Sequence, residues 1–156
     1  MKKLLFALFA VATLAFNVSA LDFAITGTGT TQTTGTQSSA FGAEVRLEKF
    51  VTSNVSVAYV QGIATATPTI RGTSELLVAY NLNYKVFGVD NQVYFGGSGR
   101  VGYGDGDFGA SVGPVLGNRL FLSKNVYLLT QINYDVGVNR ATDNTIRYGL
   151  GLGARF

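Results

Sequence analysis

The chain has 156 residues, with 12 Lys and Arg against 9 Asp and Glu, which gives a formal net charge of +3. Charged residues make up 13% of the sequence, well below the ~25% of an ordinary soluble domain. The absence of Cys and His excludes disulfide scaffolds, thiol chemistry, imidazole bases and His-based metal sites. We therefore expect no enzyme activity and no cofactor.

The first twenty residues have the pattern of a secretory signal peptide. A basic start (MKK) precedes an apolar run from Leu4 to Phe16, and the segment VSA at 18–20 has the spacing of a cleavage site. The run is shorter than the ~20 residues that a transmembrane helix needs. We expect residues 1–20 to be removed and residues 21–156 to form one domain. Because two lysines leave with the signal, the basic charge does not indicate nucleic acid.

The mature part alternates apolar and polar residues with the period of two that is typical of β-strands. Eight such segments, each about ten residues long, are long enough to cross a bilayer when tilted, and their number is even. Regular hairpin spacing favours an up-and-down meander. The prediction is an all-β fold, an eight-stranded antiparallel up-and-down transmembrane β-barrel. Its strands are predicted at 21–28, 40–50, 55–65, 73–86, 92–103, 108–117, 126–138 and 145–156.

Two segments need separate expectations. The tract Gly29 to Ser39 is rich in Thr, Gln, Gly and Ser and has nothing to bury, so it is predicted to be a flexible loop. Pro114 lies inside the sixth strand, where it has no N–H to donate to a neighbour. A bulge near Gly113 and Pro114, or a shorter strand, is therefore expected.

The polar face of the strands is mostly Gly, Ala, Ser and Asn with a few ions, which is too poor in charge for a solvated exterior. Small groups of this kind suit the narrow interior of an eight-stranded barrel. The apolar face is then outside, with aromatic residues near several strand ends as in interfacial girdles. The candidates for such girdles are Phe23, Phe41, Tyr84, Phe95, Tyr103, Phe108, Tyr148 and Phe156.

This assignment places four acids and four bases inside the barrel. Unpaired charges in a narrow lumen would be costly, so we expect these residues to pair. A network that fills the barrel is one reading of the set, and a gated polar path for ions or water is the other. The predicted interior charge network is Glu44, Arg46, Glu48, Glu75, Arg100, Asp135, Arg147 and Arg155.

The last ten residues read RYGLGLGARF, with apolar residues on one face and Arg or Gly on the other. This ending resembles the C-terminal assembly signal of bacterial outer-membrane β-barrels, which closes with alternating apolar residues and a terminal Phe. The residues that match this pattern are Tyr148, Leu150, Leu152 and Phe156.

Signal peptide, hairpin spacing, alternation, mixed-charge interior and Phe156 together resemble the small eight-stranded outer-membrane proteins, the group of the OmpA transmembrane domain and OmpX. The resemblance implies an integral outer-membrane barrel with a structural or surface role. It also implies outer-membrane lipid, the barrel assembly machinery and periplasmic chaperones as partners. Two alternatives stay open: a narrow, porin-like channel for ions or small solutes, and a secreted soluble β-barrel that binds a hydrophobic ligand.

Overall fold

A computed structural model describes residues 21–33, 39–66, 69–104, 107–138 and 144–156. The predicted signal peptide lies outside these residues. Eight strands account for almost all of the described chain, and they are β1 (Leu21–Gln32), β2 (Ser39–Phe50), β3 (Val55–Ala66), β4 (Thr69–Val86), β5 (Val89–Gly104), β6 (Asp107–Phe121), β7 (Val126–Gly137) and β8 (Thr145–Arg155). The described part contains no helix long and apolar enough to cross a membrane.

The strands form a closed barrel in which each strand pairs with its neighbours in sequence and β1 pairs with β8. All eight pairings are antiparallel. Following the register once around the barrel from Asp22 returns to β1 at Gln32, ten residues further along. This stagger tilts the strands by roughly 40° to the barrel axis. The predicted fold, an eight-stranded up-and-down barrel, is confirmed.

The two faces of the wall differ as the alternation predicts. Most inward side chains are small, polar or charged, and among them Asp22, Glu48 and Arg119 have no exposed surface; a few larger apolar side chains, such as Leu77 and Leu129, are also buried inside. Outward positions carry large apolar side chains that remain exposed, such as Leu150 at 59% and Leu152 at 57%. In a bilayer these outward residues face hydrocarbon, and the closed ladder leaves no strand edge unpaired. The predicted girdle aromatics all lie on this outward face, although Phe95 stacks on Tyr80 in the middle of β5 rather than near a strand end.

Four tyrosines lie across glycines that are their direct cross-strand partners. At each glycine an added Cβ would overlap the tyrosine ring. The flat ring thereby covers backbone that a glycine leaves bare, which stabilises a sheet locally. The pairs are Tyr94 with Gly117 and Tyr127 with Gly153 inside the barrel, and Tyr103 with Gly72 and Tyr148 with Gly29 outside.

The predicted loop at Gly29 to Ser39 was wrong at both of its ends. Gly29, Thr30 and Thr31 belong to β1 and pair with both β2 and β8, and β2 already begins at Ser39. A barrel strand needs only ladder partners on both sides, so polar residues extend it without burying apolar surface. The rest of the predicted loop, 34–38, lies outside the described residues.

Three further boundaries also differ from the prediction. β4 begins at Thr69 instead of Thr73, because 69–72 pair with β3. The β4–β5 turn is tighter than expected, since only Phe87 and Gly88 separate the strands, with positive φ values of 50° and 83°. This is the pattern of a two-residue hairpin whose twist matches that of its strands. The sixth strand continues to Phe121 instead of ending at Gly117, because 118–120 pair with both β5 and β7 and Phe121 pairs with Tyr127 on β7.

Pro114 causes neither a bulge nor a short strand, so that expectation was wrong. The register between β6 and β7 is the same on both sides of Pro114, but the pairs of Gly113 and Pro114 with β7 are missing. Pro114 has no N–H, so the ladder loses a donor at this one position. Gly113 allows the close approach, since an added Cβ would overlap the carbonyl oxygen of Tyr134. The chain therefore accommodates Pro114 by losing pairing locally while keeping its register.

Candidate functional site

The lumen holds two groups of charges at different heights. The terminal end of the barrel carries Leu21, the first described residue, and Phe156, and the loop end is the opposite one. We call the lower group the terminal-end cluster, which consists of Asp22, Arg46, Glu48, Arg119 and Arg155. We call the upper group the loop-end cluster, which consists of Glu44, Glu75, Arg100, Asp135 and Arg147.

The terminal-end cluster is built around the Glu48 carboxylate on β2. Both Glu48 oxygens accept hydrogen bonds from Nη2 of Arg119 on β6, at 2.6 Å each. Nε of Arg46 donates to the same carboxylate at 2.9 Å. β2 and β6 stand opposite each other in the eight-stranded ring, so the Glu48–Arg119 pair crosses the full width of the lumen.

Neutral groups complete the surroundings of Arg119. Its Nη1 donates to the side-chain oxygens of Asn81, at 2.7 Å, and of Gln92. Its guanidinium lies 4.5 Å from the centre of the Tyr94 ring, and the guanidinium of Arg46 lies 4.9 Å from the same ring. Cation–π contacts of this kind stabilise desolvated guanidinium groups.

The loop-end cluster has the inverse arrangement, with one guanidinium among three carboxylates. Arg147 on β8 donates to Glu75 at 2.7 Å, to Asp135 at 3.1 Å and to Glu44 at 3.3 Å. Arg100 lies 3.1 Å from Glu44 and 3.9 Å from Glu75. β8 and β4 are also opposite strands, so the Arg147–Glu75 pair is a second bridge across the lumen.

A chain of neutral side chains joins the two clusters. Arg46 donates to the side-chain oxygen of Gln131 at 2.9 Å, and Gln131 donates to Asn133 at 2.7 Å. Asn133 in turn donates to Glu75 at 3.3 Å. Tyr94 reinforces the start of this chain, because its hydroxyl donates to Gln131 at 2.7 Å and accepts from Arg46 at 3.1 Å. Polar contacts thus run without a break from Glu48 to Arg147.

The outermost pair closes the terminal end. Arg155 makes two parallel hydrogen bonds of 2.8 Å to the carboxylate of Asp22. Its guanidinium also lies 4.9 Å from the Phe50 ring centre and 5.1 Å from the Phe121 ring centre. Fork-to-fork pairing of this kind is the geometrically specific form of an Arg–carboxylate contact. Among the described residues, no group of three His, Cys, Asp or Glu side chains is placed to hold a metal ion.

All eight charged residues predicted for the lumen face inward, and each makes an ion pair there. Sequence reasoning missed Asp22 and Arg119. Asp22 alternates with the apolar Leu21 and Phe23, which was a usable signal. Arg119 was placed in a turn because the sixth strand was ended too early, so the bridge to Glu48 could not be foreseen.

The C-terminal pattern also lies where the alternation puts it. Tyr148, Leu150, Leu152 and Phe156 are exposed on the outward face, with Phe156 at 76%. β8 closes the barrel by pairing with both β7 and β1. The action of these residues as an assembly signal stays a prediction.

Comparison with solved structures finds the same architecture. The chain is similar to the N-terminal β-barrel domain of OprF from Pseudomonas aeruginosa, with 16% identity, a TM-score of 0.56, and coverage of 86% of this chain and 97% of that one. It is also similar to neisserial surface protein A, with 14% identity, a TM-score of 0.60, and coverage of 87% and 94%. A third similar structure is the attachment invasion locus protein Ail of Yersinia pestis, with 11% identity, a TM-score of 0.52, and coverage of 88% of this chain and 97% of that one.

No protein-family model and no curated protein matches the chain. The three structural neighbours are eight-stranded outer-membrane β-barrels. The chain therefore has the fold of the small eight-stranded outer-membrane barrels, as its sequence pattern predicted. This fold supports the predicted location in the bacterial outer membrane.

Proposed function

We propose that this protein is a non-enzymatic structural barrel of the outer membrane whose lumen is sealed by its own side chains. The observation that carries the proposal is the pair of bridges across the lumen, Glu48–Arg119 and Arg147–Glu75. Each joins opposite strands, and the two occupy different heights. An eight-stranded barrel is only wide enough to be filled by side chains, so two such bridges leave no room for a hydrated path.

The polar lining supports this reading over the soluble alternative. A soluble carrier would need an apolar interior for its ligand, whereas the described lumen contains ten charged side chains in two clusters. The apolar surface is outside, where it suits lipid. A surface role, such as adhesion through the loop end, is compatible with the same barrel and would use residues outside the lumen.

The test is conductance of purified protein in planar bilayers, after folding has been checked by the band shift between boiled and unboiled samples. We expect no resolved current steps from the wild type. The variant with Glu48, Arg119, Glu75 and Arg147 all replaced by Ala removes both bridges and is expected to conduct measurably more, which shows that the assay detects an opened lumen. Reproducible ion-selective steps from the wild type would overturn the proposal and favour the narrow channel.

A further inference from the structure

A polar cluster lies on the outside of the barrel, where apolar residues are expected. The hydroxyls of Tyr59 and Ser74 both donate to the side-chain oxygen of Gln61, at 2.7 Å each. The amide nitrogen of Gln61 donates to the hydroxyl of Tyr103 at 2.6 Å. These four residues face outward from β3, β4 and β5, and each is partly exposed. We call this surface the polar wall.

The polar wall extends from the middle of β3, at Gln61, to the loop end of β5, at Tyr103. Gln61 is near the middle of β3 and pairs with Val45 on β2 and Ser74 on β4. The inward neighbours of these partners include Arg46 of the terminal-end cluster as well as Glu44 and Glu75 of the loop-end cluster, so Gln61 lies beside both clusters. A carboxamide at this depth meets hydrocarbon, which offers no hydrogen-bonding group.

The polar wall contains donors that its own acceptors do not satisfy. Gln61 has two N–H groups and uses one of them for Tyr103, and the Tyr103 hydroxyl has a proton of its own. Within the described residues neither of these remaining donors has an acceptor. Unsatisfied donors are costly in hydrocarbon. The hydroxyl oxygens of Tyr59 and Tyr103 still have lone pairs, so the same surface also offers acceptors.

Bare backbone lies beside the polar wall. Gly97 and Gly99 face outward on β5 and are exposed, and a Cβ at Gly99 would meet no atom within 4 Å. Gly99 pairs with Leu76, which is also the cross-strand partner of Tyr59. Small residues next to hydrogen-bonding side chains are what membrane-embedded interfaces use, because they let two backbones approach closely.

We propose that the polar wall is an interface through which two copies of this chain pair in the membrane. Spare donors and spare acceptors lie on one surface, so a second copy rotated by a two-fold axis supplies an acceptor for each donor and receives the same in return. Acyl chains supply neither group. The wall contains no charged residue among these contacts, so pairing brings no like charges together. The inference does not depend on whether the lumen conducts.

The experiment measures self-association in lipid vesicles by energy transfer between labelled copies. The chain has no Cys, so Lys124→Cys in an exposed turn provides a single labelling site away from the wall. We expect transfer that rises with protein density and falls on dilution with lipid. Gln61→Leu is expected to lower the association constant roughly tenfold. In a symmetric dimer every contact occurs twice, so one substitution removes two hydrogen bonds.

The matched control is Thr130→Val, which removes a hydroxyl from the outward face of β7. It is expected to leave association unchanged, and both variants must keep the band shift of a folded barrel. Transfer equal to random mixing at every density would overturn the proposal. The proposal would also fail if Gln61→Leu and Thr130→Val behave alike, since association would then not involve the polar wall.

Discussion

The two charge clusters of the lumen are built as opposites. At the terminal end one carboxylate, Glu48, lies between two guanidinium groups, those of Arg46 and Arg119. At the loop end one guanidinium, that of Arg147, lies among three carboxylates. With three Arg and two acids the lower cluster has a formal charge of +1, and with two Arg and three acids the upper has −1.

The difference shows that each cluster is stabilised by its central, oppositely charged residue. The like-charged residues around each centre repel one another, and the central residue is the oppositely charged group that contacts all of them. In the lower cluster aromatic rings also contribute, because Tyr94 contacts both Arg46 and Arg119. The upper carboxylates have no comparable support beyond Arg100. Removing Arg147 should therefore lower the free energy of unfolding more than removing Glu48.

The largest expected effect is that of Arg147→Met. This change removes the positive charge among Glu44, Glu75 and Asp135 and leaves Arg100 as the nearest cation in the described lumen. We expect a loss of about 3–5 kcal/mol in the free energy of unfolding, since buried carboxylates lose their partner. Urea unfolding in detergent micelles, followed by circular dichroism, measures it.

The control for this prediction is the double variant Arg147→Met/Glu75→Gln. It removes one positive and one negative charge together and should recover part of the lost stability, because the effects of substitutions at two contacting residues do not add. A loss below 1 kcal/mol for Arg147→Met alone would contradict the view that this residue holds the upper cluster together.

A smaller effect is expected from Glu48→Gln. The amide keeps the shape of the side chain but removes the negative charge between Arg46 and Arg119. We expect a loss of about 2–3 kcal/mol, less than at Arg147, because the Tyr94 ring still stabilises both guanidinium groups. Unfolding in urea compares the two variants directly.

The related change Glu48→Ala should respond to a small anion, whereas Arg147→Met should not. Glu48→Ala vacates the space of the carboxylate between two guanidinium groups, so formate present during refolding should stabilise this variant more than the wild type. Equal formate effects on Glu48→Ala and Arg147→Met would remove the proposed asymmetry between the clusters.

The smallest effect is that of Tyr94→Phe, which removes the hydroxyl that contacts Arg46 and Gln131 but keeps the ring. We expect a loss of about 1 kcal/mol, the net contribution of a typical hydrogen bond. Lys85→Ala is the reference, because the exposed Lys85–Asp90 pair should contribute less than about 0.5 kcal/mol. If Tyr94→Phe matches this reference, the hydroxyl does not help to couple the clusters.

Much of the fold followed from periodicity alone, and the errors have identifiable causes. Gly29 to Thr31 was predicted to be loop because nothing there is apolar, but ladder hydrogen bonds to β2 and β8 do not depend on apolar side chains. Arg119 was missed for a related reason, since Gly117 and Asn118 resemble a turn when read alone. Their pairing with both neighbouring strands outweighs that local preference.

The sequence by itself determined which side chains share a face, how many strands there are, and most of the charged residues that face the lumen. A period of two is sufficient for this, because neighbouring side chains of a strand point to opposite sides. Only the tertiary structure decided the height of each residue and its partner across the lumen. Both the height and the partner depend on the register shift between strands in the closed barrel. This shift brings Glu48 to Arg119 and Glu75 to Arg147, although 71 and 72 residues separate them along the chain.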